Sequence, residues 1–214
     1  MLTLYDYYRS SACYRVRIAL NLKNLSYDVV PVHLLNNGGE QFSATYLALN
    51  PQALVPSLMV DENVLTQSLA IIEYLDETHP APALLPDNPL LKAKVRAFAM
   101  TIAADIHPLN NLRVVQYLTE HFKMDETQKL AWFHHWMRKG FSALEQQLVK
   151  NKSNGDFCFG ATPTLADICL VPQLYNARRF QCDVSDFPTL CRIDQHCQQL
   201  TAFKNAQPLT KESA

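Results

Sequence analysis

The sequence predicts two unlike domains, a short α/β domain over residues 1–80 and a larger all-α domain over residues 89–214, and three observations carry that prediction. Up to Thr78, β-branched runs alternate with segments of helical period. The stretch from His79 to Pro89 holds four of the 12 prolines in 11 residues, which excludes regular structure and reads as a linker. From Leu90 on there is no strand alternation, and helical periodicity runs through 90–120, 126–150, 164–178 and 188–200.

Taken in order, residues 2–6 make a short strand, and residues 11–23 make a helix with Ala12, Val16, Ala19, Leu20 and Lys23 on one side. Ser10 and Ser11 stand where its N-cap belongs. Tyr27 to Val32 reads as a second strand, Gly38-Gly39 interrupts the next loop, and a short helix is expected around Gln41 to Leu49. Ser57 to Val60 and Val64-Leu65 flank Asp61-Glu62-Asn63 closely enough to form a hairpin, with a helix from Gln67 to about Thr78. In the second half, Thr164-Leu165-Ala166-Asp167 has the spacing of a capping box, which is a folding signal. Trp132, Phe133 and Trp136 read as packing residues. The adjacent His134 and His135 point about 100° apart on one helix and make a poor metal pair.

Composition narrows the function. The chain has 214 residues, is 48% hydrophobic and carries a net charge of −1, with its basic residues scattered, so nothing draws nucleic acid or anionic lipid to it. Asp6 stands where a secretory apolar segment would run, and no apolar stretch reaches the roughly 18 residues of a membrane span, so a cytoplasmic protein is expected. The six cysteines form no C-x-x-C pair and no metal-ligand spacing, so reduced thiols and no metal site are expected.

Four motifs carry a family resemblance. They are Arg9-Ser10-Ser11-Ala12-Cys13-Tyr14-Arg15-Val16-Arg17-Ile18-Ala19-Leu20, Leu49-Asn50-Pro51 with Val55-Pro56, Gln67-Ser68-Leu69-Ala70-Ile71-Ile72-Glu73-Tyr74-Leu75, and the Thr164 to Asp167 box. Together they resemble the zeta class of glutathione transferases, the maleylacetoacetate and maleylpyruvate isomerases. The resemblance implies the glutathione-transferase fold, an α/β thioredoxin-like N-terminal domain followed by an all-α C-terminal domain. It also implies glutathione as cofactor, a homodimer, and a cis bond at Val55-Pro56. Where the family's usual string has cysteine after the two serines this chain has Ala12, and a cysteine follows at Cys13.

The chemistry follows from what glutathione needs. Its thiol, of pKa about 8.5, is only a few per cent ionised at neutral pH. A hydroxyl at a helix N-terminus stabilises the anion, since a hydrogen bond to a charged group is worth roughly 1.5–3 kcal/mol. The resemblance assigns this contact to Ser10, with Ser11 as the second choice; taken alone, both serines also fit a plain helix cap. Gln67 and Ser68 open a helix that can take a carboxylate, by resemblance the γ-glutamyl group, and are equally an ordinary helix start. Val55, held extended by the following proline, can pair its backbone with a peptide. Gln41 and His107 match family positions that touch glutathione, although a histidine before Pro108 also fills the gap at a proline kink. Arg9, Arg113 and Arg179 are the candidates for binding a dicarboxylate substrate, because the planar guanidinium fork suits carboxylates; taken singly, each also fits a solvated surface charge.

The expected activity is isomerisation of maleylacetoacetate or maleylpyruvate to the fumaryl isomer by reversible thiolate addition. One competing expectation is a broad transferase that consumes glutathione on electrophiles such as α-halo acids. Another is a non-catalytic binding module that keeps only the fold.

Overall fold

A computed structural model describes residues 1–151 and 155–208. Residues 152–154 and the last six residues of the expected second domain lie outside the described set. By compactness the chain divides into two units, Met1–Ala83 joined by the chain from Leu200 on, and Leu84–Gln199.

The first unit is built on a four-stranded sheet of order β2-β1-β3-β4, with β1 Leu2–Asp6, β2 Asp28–Pro31, β3 Ser57–Val60 and β4 Asn63–Thr66. β1 pairs parallel with β2 and antiparallel with β3, and β3 pairs antiparallel with β4. The register sets Tyr5 opposite Ser57 and Ser57 opposite Thr66. Three chain segments therefore leave the sheet at one end: the loop after Asp6, the approach to Ser57, and the turn after Thr66.

Helix α1 (Ser11–Leu22) returns from β1, α2 (Ala44–Leu49) follows two short 3-10 turns at Asn36–Gly38 and Glu40–Phe42, and α3 (Ser68–Thr78) follows the hairpin. The helix expected from Gln41 on is thus broken at Ser43, whose hydroxyl accepts from the Tyr46 N–H and starts α2 afresh. α1 is buried nearly throughout, from Cys13 to Leu20.

Two cationic side chains in α1 and at its end tie this unit together. Arg17 donates to the Asp6 carboxylate at 2.5 Å, to the Tyr8 carbonyl and to the carbonyl of Ala206 in the last helix, α10 (Thr201–Ala206). Lys23, with no exposed side-chain surface, donates to Asp76 and to the carbonyls of His79 and Pro82, each at 2.6 Å. The contiguous second domain expected over 89–214 therefore differs from the compact unit at its end. Arg17 and Asn21, which donates to the Ala202 carbonyl, hold α10 against α1.

In the second unit the helical periodicity expected over 90–120 is carried by four segments. α4 (Pro89–Met100) starts at an Asn88 cap with proline at its first position, and a π-helical stretch, Thr101–Ile106, follows it. Pro108 has no N–H, and its ring would strike the carbonyl four residues back. The wider turn relieves this, and the His107 N–H reaches back five residues to Ile102. The one-turn α5 (His107–Leu109) ends at Asn110-Asn111, where the Asn111 side chain caps α6 (Leu112–Phe122).

α7 (Glu126–Lys150) begins with a capping box between Asp125 and Gln128, and α8 (Leu165–Arg179) with the expected one between Thr164 and Asp167. The buried Asp167 carboxylate also accepts from the Cys158 N–H at 2.8 Å; burial raises its pKa, and the donated hydrogen bonds oppose that rise. α9 (Pro188–Cys197) is capped from a distance, since Glu145 of α7 accepts from the N–H groups of Thr189 and Leu190.

The π-helical stretch lies against α7 at Gly140, where an added Cβ would stand 2.3 Å from Ile106 Cδ1 and 2.4 Å from its Cγ1. Alanine would gain about 1 kcal/mol in helix propensity, whereas forcing a methyl into a packed notch costs about 1–3 kcal/mol. Gly140→Ala is expected to lower the midpoint of urea unfolding. A raised midpoint would mean that Ile106 yields without strain.

Candidate active site

In the first unit the loop Tyr7 to Ser10 leaves β1 and is stitched to the start of α1. The Ser10 N–H donates to the Tyr7 carbonyl at 2.8 Å, and Ser10 Oγ accepts from the Cys13 N–H at 3.3 Å. Ser10 is the N-cap of α1, and Ser11, one residue on, is buried in its first turn. Because the cap uses a lone pair of Oγ, the hydroxyl proton can turn outward to an anion, next to the positive end of the helix.

Cys13 lies behind this cap, fully buried, with its sulfur accepting from the Tyr7 N–H at 3.4 Å. Burial pushes its pKa far up, the Asp6 carboxylate adds to that, and the Arg17 guanidinium opposes it. Cys13 is a protonated thiol that packs and anchors the loop, without nucleophilic character.

Val55-Pro56 is cis, and the segment before Ser57 is held from below. Tyr46 Oη donates to the Leu54 carbonyl at 2.7 Å, and Asn50 Nδ2 donates to the same carbonyl at 2.8 Å and to Ser57 Oγ at 3.2 Å. Val55 itself is half-buried, and within the described residues neither its N–H nor its carbonyl is hydrogen-bonded. An extended peptide can pair there.

At the start of α3, Gln67 takes a left-handed backbone (φ 67°) and its side chain donates to Gln52. Ser68 is buried, and its hydroxyl accepts from Arg15 at 3.3 Å. Arg15 is itself 1% exposed, so its charge sits directly behind the N-terminus of α3 and adds to the helix dipole. Its position inside α1, 53 residues from Ser68, gives no sequence signal of that contact.

Gln41 is buried, with Nε2 directed at the Leu34 carbonyl at 3.5 Å and its Oε1 without a partner in the described residues. It fills the space beside Gly39, where a Cβ would come within 2.5 Å of its amide. His33 braces this loop, its Nδ1 accepting from the N–H groups of Leu35 and Asn36. Arg9 is exposed and lies over the Tyr8 ring at 5.0 Å.

In the second unit His107 is half-buried where the π-helical stretch gives way to α5. Trp132 fixes the end of α5 by donating from Nε1 to the Leu109 carbonyl at 2.7 Å. Arg113 is exposed in the first turn of α6, and Arg179 is the exposed last residue of α8, 5.1 Å from the centre of the Phe180 ring.

The arginines sort by their partners. Arg17, Arg138 and Arg178 pair with Asp6, Asp186 and Asp194, Arg192 donates to the Gly155 carbonyl, and Arg15 and Arg96 are likewise engaged. Among the described residues, the guanidinium groups of Arg9, Arg113 and Arg179 have neither a carboxylate nor a carbonyl partner. No cluster of His, Cys, Asp and Glu among the described residues has the geometry to hold a metal, and no described helix is long and apolar enough to cross a membrane.

Known proteins bear on both units. The glutathione S-transferase N-terminal domain family matches residues 4–83, and the corresponding C-terminal domain family matches residues 137–187. The chain is 50% identical, over 100% of its length and 98% of the relative's, to a probable maleylacetoacetate isomerase of Vibrio cholerae. The solved holo structure of a bacterial maleylpyruvate isomerase, described as a zeta-class glutathione S-transferase, superposes with a TM-score of 0.95 at 44% identity, covering 99% of both chains. A maleylacetoacetate isomerase of Anaeromyxobacter dehalogenans, solved with dicarboxyethyl glutathione and citrate in its active site, superposes with a TM-score of 0.87 at 41% identity, covering 100% of this chain and 94% of that one. The chain belongs to the zeta class of the glutathione transferases, among the maleylacetoacetate and maleylpyruvate isomerases.

Proposed function

We propose that this protein is a glutathione-dependent cis–trans isomerase of maleylacetoacetate or maleylpyruvate, acting in the cytoplasm as a homodimer of two-domain chains. The observation that carries the reading is that Arg9, Arg113 and Arg179 are exposed and, among the described residues, have no carboxylate or carbonyl partner, whereas Arg17, Arg138 and Arg178 are each paired with an aspartate. A protein of net charge −1 that takes up a diacid needs local cations left uncompensated.

Glutathione, when bound, would supply the sulfur nucleophile for reversible addition to the cis double bond and would be regenerated. The chain's part is to bind, orient and hold charge. Ser10 would donate a hydrogen bond from its hydroxyl to the sulfur and so favour the thiolate, with Ser11 beside it as the second hydroxyl. Val55 offers its backbone N–H and carbonyl to the peptide, and Gln67, Ser68 and the α3 N-terminus take a carboxylate with the Arg15 charge behind them. Gln41 and His107 complete the glutathione contacts. Arg9, Arg113 and Arg179 are, by the family resemblance, the residues for the carboxylates of the substrate.

Conjugation of α-halo acids fits less well, since a monocarboxylate leaves most of the unpaired arginine charge without a use. The test follows the ultraviolet change of maleylpyruvate, and in parallel of maleylacetone in place of maleylacetoacetate, with and without glutathione. Isomerisation of at least one acid only when glutathione is present supports the reading, and the preferred acid names the substrate. Glutathione binding without isomerisation of either acid would overturn it.

A further inference from the structure

Arg179 ends α8, where the exposed backbone carbonyls of the last turn would draw a cation inward. It lies instead against the ring of the next residue, its guanidinium carbon 5.1 Å from the Phe180 centroid. Phe180 is held at both ends by two consecutive residues of α7. Its ring stacks on Phe133 with centroids 4.1 Å apart and planes 20° apart, and Phe133 is 3% exposed. Its carbonyl accepts from His134 Nε2 at 2.8 Å. The backbone closes the arrangement: the Phe180 N–H bonds to Asn176 and Ala177, and Gln181 turns away in a left-handed conformation (φ 56°).

We propose that Phe133 and His134 are positioning residues for Arg179, clamping Phe180 so that the guanidinium is set before the diacid arrives. The proposal rests on the assignment of Arg179 to substrate binding. A free arginine side chain at a helix end samples many rotamers, and each must be given up on binding. A guanidinium already laid on a fixed ring gives up fewer, so the clamp acts on substrate affinity and leaves the chemical step alone. A carbonyl can only accept, so His134 must carry its proton on Nε2; neutral tautomer and cation both satisfy this.

The test is steady-state kinetics of His134→Ala, His134→Gln and Phe180→Leu, alone and combined with Arg179→Ala. His134→Ala and Phe180→Leu are expected to raise the KM for the maleyl acid by about three- to tenfold, the scale of ordering one long side chain, with kcat and the KM for glutathione changed less than twofold. His134→Gln, whose amide can still donate, should recover most of the loss. In the Arg179→Ala background neither change should raise KM further, because residues acting as one unit are not additive.

An equal rise in KM with and without Arg179, or a matching rise in the KM for glutathione, would overturn the proposal. Should His134→Ala not fold, the Phe180→Leu cycle alone decides it. Succinate, a diacid without the reactive double bond, is titrated into the same variants with glutathione present. If the wild type binds succinate but isomerises no maleyl acid, the isomerase reading fails while the clamp is still scored on succinate affinity; if it binds neither, both fail.

Discussion

Replacing Ser10 by alanine is expected to lower isomerase turnover at neutral pH by about 10- to 100-fold, while circular dichroism stays that of the wild type. The size follows from one charge-assisted hydrogen bond, roughly 1.5–3 kcal/mol, at 1.36 kcal/mol per tenfold change. Ser10 favours the ionised form of the bound thiol, so its loss raises that thiol's pKa toward the free value near 8.5. The rising limb of the pH–rate profile should accordingly move to higher pH by about one to two units, and activity should recover at alkaline pH. The cap bond from the Cys13 N–H is also lost, at a cost of about 1 kcal/mol in stability. A Ser10→Ala enzyme with an unshifted pH profile would move the role to Ser11.

The largest expected effect on stability is at Lys23. Its ammonium has no exposed surface and binds the Asp76 carboxylate and two linker carbonyls, joining the end of α1 to the end of α3 and to the prolines that follow. Removing one partner of a buried ion pair costs about 3–5 kcal/mol, a large part of the roughly 5–15 kcal/mol that holds a typical domain folded. Lys23→Ala should lower urea-unfolding stability by that order. Lys23→Met, which restores the apolar stem, should recover only a small part, because the charge and the two carbonyls still lose their donor. A loss below 1 kcal/mol in Lys23→Ala would show that water takes over the role of the ammonium.

Both residues illustrate how far the sequence could be read. Ser10 was legible because its role is local: a small hydroxyl residue just before a helix of apolar period caps it, and the motif around it is contiguous. Lys23 was legible as a helix position but not as a cross-link, since its partners lie 53 to 59 residues further on. The strands, the hairpin, the Pro-rich linker and the Thr164–Asp167 box rest on short-range signals of the same kind. So does the Asp125–Gln128 box, which its spacing could have revealed.

What stayed hidden is set by distant contacts. Pro108 marked a kink in the run 90–120, but the close approach of Ile106 in the π-helical stretch to Gly140 in another helix left no local signal. The return of α10 onto α1 depends on Arg17 and Asn21 reaching carbonyls more than 180 residues away. The same holds in the candidate site. Arg15 stands inside the first motif with no local sign of its partner, and its hydrogen bond to Ser68 adds an electrostatic part at the α3 N-terminus. His134 and Phe133 read as a poor metal ligand and a packing residue, and no pattern in the chain joins them to Phe180 and Arg179.

The most direct measurement is a count of turnovers against thiol. The enzyme is given a large excess of maleylpyruvate or maleylacetone over glutathione, product is followed by ultraviolet absorbance, and free thiol is assayed at the end. A regenerated nucleophile predicts many equivalents of trans product per glutathione, with the thiol conserved. Product that stops at one equivalent, with the thiol consumed, would contradict the isomerase account and leave conjugation in its place.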